Sequence, residues 1–199
     1  MDSLLHFRRV IEEEASAIKS LLEQLDPSYE DALKMIAECK GKVVITGVGK
    51  SGHVGKKIAA SLSSTGTPSF FVHSTEGVHG DLGMISETDV VILISNSGET
   101  KEVLSLLPSL KKIGTKCISI TSKRSSTLAQ SSDVALTYQY EQEADLLGLA
   151  PTTSSTVTLV IGDALAIALS TMKNFTKEDF HLYHPGGSLG QQLSKPKKS

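Results

Sequence analysis

The spacing of hydrophobic positions changes once along the chain, near residue 40. Before it, Leu4, Phe7, Val10, Ile11, Ile18, Leu21, Leu22 and Leu25 recur at intervals of three, four and seven. That spacing predicts an amphipathic helix over residues 4–25. Pro27 ends it, and a second helix is expected from Tyr29 to about Cys39. After residue 40 the pattern shortens. "KVVIT" (42–46), "SFFVH" (69–73), "DVVILIS" (89–95), "KCISI" (116–120) and "DVALTY" (133–138) are short runs rich in β-branched and aromatic residues, and they read as strands. Helical spacing returns between them, at Val54, Ile58 and Leu62, and again at Val103, Leu106, Leu107, Leu110 and Ile113. Helices are therefore expected over 54–65 and 101–113.

Continuous apolar strands alternating with helices imply a parallel sheet covered on both faces. The expected fold class is α/β: a doubly wound five-stranded parallel sheet flanked by helices, flavodoxin- or Rossmann-like. In such sheets ligands lie beyond the carboxyl ends of the strands. The loops of interest follow Thr46, Val72, Ile94, Ile120 and Tyr138. The stretch 156–172, "TVTLVIGDALAIALSTM", is short for a membrane span and carries Asp163 in its middle. It is expected to be a core or interface helix. One domain is expected over 1–194, with the helices of residues 1–40 included and a disordered basic tail at 195–199.

Composition narrows the function classes. A formal net charge of −2 on 199 residues, with acids and bases interspersed, points to neither nucleic acid nor a membrane surface. The two cysteines, Cys39 and Cys117, lie far apart in apolar surroundings and read as buried thiols. No disulfide or zinc spacing is present, and the N-terminus lacks the apolar core of a signal peptide; a cytoplasmic location is expected.

The first loop, "TGVGKSGHVG", evokes two nucleotide signatures. A P-loop ending in Gly49-Lys50-Ser51 requires glycine where Val44 stands. Gly47, Gly49 and Gly52 satisfy G-x-G-x-x-G, but the second strand ends in His73 and Ser74 instead of the acid that binds a dinucleotide ribose. A glycine-rich helix N-terminus for an anion remains, with Lys50 and Ser51 adding a charge and a hydroxyl. The third loop, "SNSGETKEV", places Ser95, Asn96, Ser97 and Thr100 at a strand-to-helix junction. Capping needs one such residue; four suit the many short donors that a phosphate monoester requires. Glu99 and Glu102 follow, at positions where the helix dipole favours acids in any protein. In the second loop His73, Glu76, His79 and Asp81 fall within nine residues. Their spacing is not that of a structural zinc site. Contacts from the histidines to substrate hydroxyls are the stronger reading.

Taken together, "GVGKSG", "STEGVHGDLGM", "SNSGET", "GLAPTTSST" and "YHPGGSLG" stand in the order and at the spacings of the sugar isomerase (SIS) domain proteins. Over about residues 35–193 the chain most resembles the arabinose-5-phosphate isomerases. The resemblance implies an aldose–ketose isomerase interconverting D-ribulose 5-phosphate and D-arabinose 5-phosphate, which feeds synthesis of the eight-carbon acid Kdo for lipopolysaccharide or capsule. It implies catalytic roles for Lys50, Glu102, Glu143 and His184, with Glu141 a weaker rival to Glu143. It also implies substrate contacts at Gly66, Thr67, His73 and His79. An inhibitory zinc at His73 is implied, with no metal needed for turnover, as is a homotetramer with active sites at subunit contacts. Longer family members continue into a paired regulatory (CBS) module, which is expected to be absent here.

The residues fit that chemistry. Moving a proton between C1 and C2 through an enediol needs a base, a shuttle between the oxygens and support for the developing oxyanion. Glu102 and Glu143 are the candidate bases, His184 the shuttle and Lys50 the electrostatic support. Ser51, Ser95, Ser97 and Thr100 would grip the phosphate. No cofactor is implied, because no hydride leaves. Isomerisation of a hexulose or heptose phosphate, and a non-catalytic phosphosugar sensor, are the alternatives.

Overall fold

The computed structural model describes residues 3–186. The expected basic tail at 195–199 lies outside them. Helix α1 (Ser3–Leu21) runs into a short 3-10 turn at Leu22–Gln24. Helix α2 (Pro27–Glu38) begins on Pro27, which supplies a preset φ at the first helical position, and is capped by Asp26, whose side chain accepts from Ser28 N. Five strands follow: β1 (Val43–Gly47), β2 (Ser69–His73), β3 (Val90–Ile94), β4 (Lys116–Thr121) and β5 (Val134–Thr137). They form one parallel sheet in the order β2-β1-β3-β4-β5. All five expected strands are present, with ends differing by a residue or so.

Period-two alternation explains why both faces are dry. Val43, Ile45, Val90, Ile92 and Ile94 point into one core with Ile36, Ile58, Leu62, Ile161 and Leu165, under α2, α3 (Gly49–Ser64) and α8 (Thr153–Met172). Val44, Val72, Val91 and Leu93 point into the other, with Val103, Leu106, Leu110 and Leu128. That second layer is built from short helices: α4 (Ser74–Gly77), α5 (Lys101–Leu104), α6 (Leu107–Ile113) and α7 (Thr127–Ser131). The single helix expected over 101–113 is two, because Pro108 lacks the N–H that would continue the ladder and instead opens α6. Helices α4, α7 and α9 (Lys177–Tyr183) are too short to leave a periodic signal. Cys117 is buried as expected, and burial pushes its thiol up to about 11; Cys39 is only half-buried.

Helix α8 is long and apolar enough to cross a membrane by composition alone. Here Val157, Ile161, Leu165, Ala166 and Leu169 pack it into the core, and Asp163 pairs with Lys57 of α3. Helices α3 and α8 lie close because Gly162 has no side chain: a Cβ there would collide with Ile58 of α3. Gly162→Val is expected to destabilise the fold by about 2–3 kcal/mol through overpacking, read as a lower denaturant midpoint. An unchanged midpoint would show that the two helices separate freely.

Candidate active site

The strand order reverses direction between β1 and β3, so the segments leaving their carboxyl ends diverge and open a crevice. Both loops singled out from the sequence border it. The backbones come close: a Cβ on Gly47 would lie 3.3 Å from the Ile94 carbonyl oxygen. The glycine-rich segment is already helical, with Gly49, Lys50 and Ser51 forming the first turn of α3. That end has no side-chain cap, so its N–H groups and partial positive charge face the crevice. Lys50 is exposed and Ser51 half-buried.

The loop after β3 is held in one shape. Ser95 is buried, and its hydroxyl shares a hydrogen bond with Thr100 Oγ1 at 2.7 Å while accepting from Gly98 N at 3.1 Å. Ser97 is exposed and its hydroxyl accepts from Glu99 N at 3.1 Å. Gly98 has φ +68, and a Cβ on it would collide with Ser126. Only glycine fits there on both counts. Glu99 turns away to accept from Thr127 N at 2.7 Å, capping α7, and that bond holds its carboxyl below the usual range. Glu102, on the first turn of α5, is exposed and its carboxylate makes no hydrogen bond or ion pair among the described residues.

Glu143 is the opposite case. It is 9% exposed and its carboxylate collects four donors: Tyr140 OH at 3.1 Å, Thr152 N at 2.9 Å, Thr152 Oγ1 at 3.2 Å and Ser154 N at 3.1 Å. Thr152 and Ser154 open α8, whose own N-cap makes no side-chain hydrogen bond. Glu143 therefore caps this helix from nine residues upstream, with its charge matched to the helix dipole. Burial acts to raise its pKa, but the hydrogen bonds from Ser154, Thr152 and Tyr140 outweigh it and hold the carboxyl below its ordinary 4.5. Glu141, the rival, is exposed.

At the end of β2, His73 is half-buried, and its Nδ1 accepts from Thr75 N at 3.3 Å. That bond places the ring proton on Nε2, a donor suited to a substrate hydroxyl. His79 is exposed in the turn beyond α4. Among the described residues no group of three or more His, Cys, Asp or Glu is gathered for a metal.

Gly66, Thr67 and His184 stand elsewhere. Gly66 and Thr67 precede β2, at the amino-terminal edge of the sheet. Thr67 Oγ1 accepts from Lys173 Nζ at 2.8 Å, just past the far end of α8. Phe175 lies against Gly66 and stacks on Tyr183. His184 ends α9, its ring stacked on Phe180 and its Nδ1 2.9 Å from the Phe180 carbonyl oxygen. A carbonyl only accepts, so Nδ1 donates to it and Nε2 is left without a partner among the described residues. At about 1.5 Å per residue, α8 separates this cluster from the Glu143 end by roughly 30 Å. One chain thus brings together Lys50, Ser51, Ser95, Ser97, Thr100, Glu102 and His73 around the carboxyl ends of β1, β2 and β3, with Glu143 just beyond. It does not bring Gly66, Thr67 or His184 to them.

The sequence reading missed Tyr138 and Tyr140, which join Asn96 to Glu143, and Thr152, which supports Glu143. The available signal was "YQYEQE", where two aromatics two apart run past the end of the fifth strand. Glu143→Gln is expected to lower stability by about 1–3 kcal/mol at neutral pH. Because the folded pKa is depressed, Glu143 stabilises the fold above its unfolded value, and that contribution is lost as pH falls through the folded value. Thermal unfolding of the two proteins should therefore converge in acid; a gap that persists there would refute the cap.

The SIS domain family model matches residues 35–168. The chain is 52% identical over 187 residues to the arabinose 5-phosphate isomerase KpsF of Escherichia coli O6:H1, covering 94% of this chain and 57% of that protein. It is 52% identical over 193 residues to the arabinose 5-phosphate isomerase KdsD of Pseudomonas aeruginosa, covering 97% and 59%. The chain thus spans somewhat over half the length of these relatives. The solved structure of an E. coli CFT073 protein in complex with arabinose 5-phosphate superposes with a TM-score of 0.90 at 52% identity, covering 93% of this chain and all of that one. With the sheet order, the loops and the family match in agreement, the chain belongs to the SIS domain family.

Proposed function

We propose that this protein is an aldose–ketose isomerase interconverting D-ribulose 5-phosphate and D-arabinose 5-phosphate through an enediol. The observation that supports it most is the crevice at the β1–β3 reversal. There the uncapped N-terminus of α3 and the hydroxyl-lined loop 95–100 face one another beside Lys50 and the free carboxylate of Glu102. The names of the KpsF and KdsD relatives, and the arabinose 5-phosphate bound to the solved neighbour, point to the same substrate.

In this reading Ser51, Ser95, Ser97 and Thr100 hold the phosphate, and the N-terminus of α3 supplies backbone donors. The phosphate anchors the sugar, so its binding energy orients C1 and C2. Of the two glutamates, Glu102 is the better base: its oxygens are free, whereas the hydrogen bonds on Glu143 stabilise its ionised form and weaken its pull on a proton. Lys50 supports the enediolate oxyanion, and the Nε2–H of His73 contacts a substrate hydroxyl. His184, with Nε2 free, moves the hydroxyl protons.

The separation of His184, Gly66 and Thr67 from this crevice supports a homotetramer in which a neighbouring chain completes each site. Exposed Leu4, Leu5, Phe7 and Ile11 of α1, and Leu146, Leu147 and Leu149 before α8, are apolar surface of the kind such contacts bury. The enzyme would act in the cytoplasm, supplying Kdo synthesis for lipopolysaccharide or capsule.

Purified protein incubated with ribulose 5-phosphate in EDTA is expected to form arabinose 5-phosphate. Turnover only of a longer phosphosugar would move the assignment within the isomerases, and binding without turnover would favour a sensor. Activity lost in EDTA and restored by a metal would overturn the metal-free mechanism. Glu102→Gln and His184→Ala should each lower kcat by about 10²-fold or more. Coexpressing these two variants should restore about a quarter of wild-type activity if each site draws on two chains of a symmetric oligomer. Absence of any recovery in mixed oligomers, or a monomer in sedimentation at micromolar concentration, would place His184 outside the site.

A further inference from the structure

Four side chains make a continuous file of hydrogen bonds behind the loop 95–100. Tyr140 OH lies 3.1 Å from Glu143 Oε1, Asn96 Nδ2 lies 2.8 Å from Tyr140 OH, and Tyr138 OH lies 3.0 Å from Asn96 Oδ1. The direction of every proton follows from the end of the file. An ionised carboxylate only accepts, so Tyr140 donates to Glu143. The Tyr140 oxygen then accepts from the Asn96 amide nitrogen. The Asn96 carbonyl oxygen is thereby turned toward Tyr138, which donates to it. Tyr138 is 1% exposed and shares a further bond with Thr158 Oγ1 of α8 at 3.1 Å.

Asn96 is the only member of the file within the loop, and its backbone is tied as firmly as its side chain. Its carbonyl oxygen accepts from Ser122 N at 2.9 Å, Ser122 Oγ at 2.7 Å and Thr121 Oγ1 at 3.1 Å. The backbone of Asn96 is thus anchored to the end of β4, and its side-chain amide ties the same turn, between Ser95 and Ser97, to the tyrosines at and beyond the end of β5. Tyr140 has two separable contributions. Its ring stacks on Tyr138 with centroids 6.1 Å apart, which phenylalanine would keep. Its hydroxyl joins Asn96 to Glu143, which phenylalanine would lose.

We propose that Tyr140 is a positioning residue for phosphosugar binding: its hydroxyl ties Asn96 to Glu143 and so holds the loop 95–100 in the shape that grips the phosphate. This rests on the assignment of that loop to the phosphate in the isomerase reading. Tyr140 need not touch the substrate. Without the hydroxyl, Asn96 Nδ2 loses its acceptor and Glu143 loses a donor, and the amide can rotate. Binding weakens because the loop must be ordered by the ligand instead of being ordered in advance.

The test is Tyr140→Phe, with Tyr29→Phe as control, since Tyr29 also loses one interior hydroxyl bond, to the Thr137 carbonyl at 3.1 Å. Calorimetric Kd values for inorganic phosphate and for arabinose 5-phosphate are compared with steady-state KM and kcat. Tyr140→Phe is expected to raise Kd and KM about tenfold, the scale of one interior hydrogen bond, with kcat within about threefold. Tyr29→Phe should leave all of them unchanged. Kd and KM within about twofold of wild type, or a fall in kcat at constant KM, would overturn the proposal. Should Tyr140→Phe fail to fold, Tyr138→Phe removes the donor at the other end of Asn96 and is expected to raise Kd in the same direction; no rise there overturns it equally. Wild type that binds phosphosugar without isomerising it would sink the isomerase reading alone, and the Kd series would still decide the role of Tyr140. Wild type that binds neither ligand would sink both.

Discussion

The parallel pairing of β1 with β3 is the constraint on which the rest depends. It puts two strands that are not neighbours in sequence side by side, and sends the helices after them to opposite faces of the sheet. The backbone groups at their ends then have no strand above them to pair with. Everything that follows is a way of using those ends. Gly47 lets the two strand ends approach, α3 starts at once and points its N-terminus outward, and the loop after β3 folds its own hydroxyls inward. An anion is the ligand such an arrangement suits, because partial positive charge and short donors converge there.

The two glutamates show how position in the fold separates residues that look alike in sequence. Glu143 lies below the open N-terminus of α8 and becomes part of the scaffold, its charge satisfied by the helix and by Tyr140. Glu102 sits just beyond the loop 95–100, and no partner among the described residues satisfies its charge. A carboxylate held by four donors stabilises; one held by none is available for chemistry. Glu99, exposed like Glu102, is used up capping α7. Each acid is at a helix N-terminus or near one, so the dipole argument alone would rank them equally.

Much of this was legible in advance. The five strands, the doubly wound sheet and the polar character of the loops after β1 and β3 follow from short-range patterning, which depends on period and on burial of both faces. The expectation of phosphate chemistry at "SNSGET" came from the number of hydroxyls beside a glycine at a strand's end, more than capping needs. The break at Pro108 could have been read from the same principles, but the apolar positions on either side kept helical spacing and masked it. The short helices α4, α7 and α9 left no signal because fewer than two turns cannot show a period.

The sequence by itself determined the class of fold, the glycine- and hydroxyl-rich character of the loops after β1 and β3 and the set of candidate polar residues in them, since each depends on neighbours within a few positions. Only the tertiary structure decided which of those residues meet. It turned Glu143 inward and left Glu102 free, and it joined Asn96 to Glu143 through Tyr140 across 47 positions of the chain. It also placed His184 with Gly66 and Thr67 at the far edge of the sheet. Such distances follow from the length and direction of α8 and from the strand order, and no local pattern encodes them.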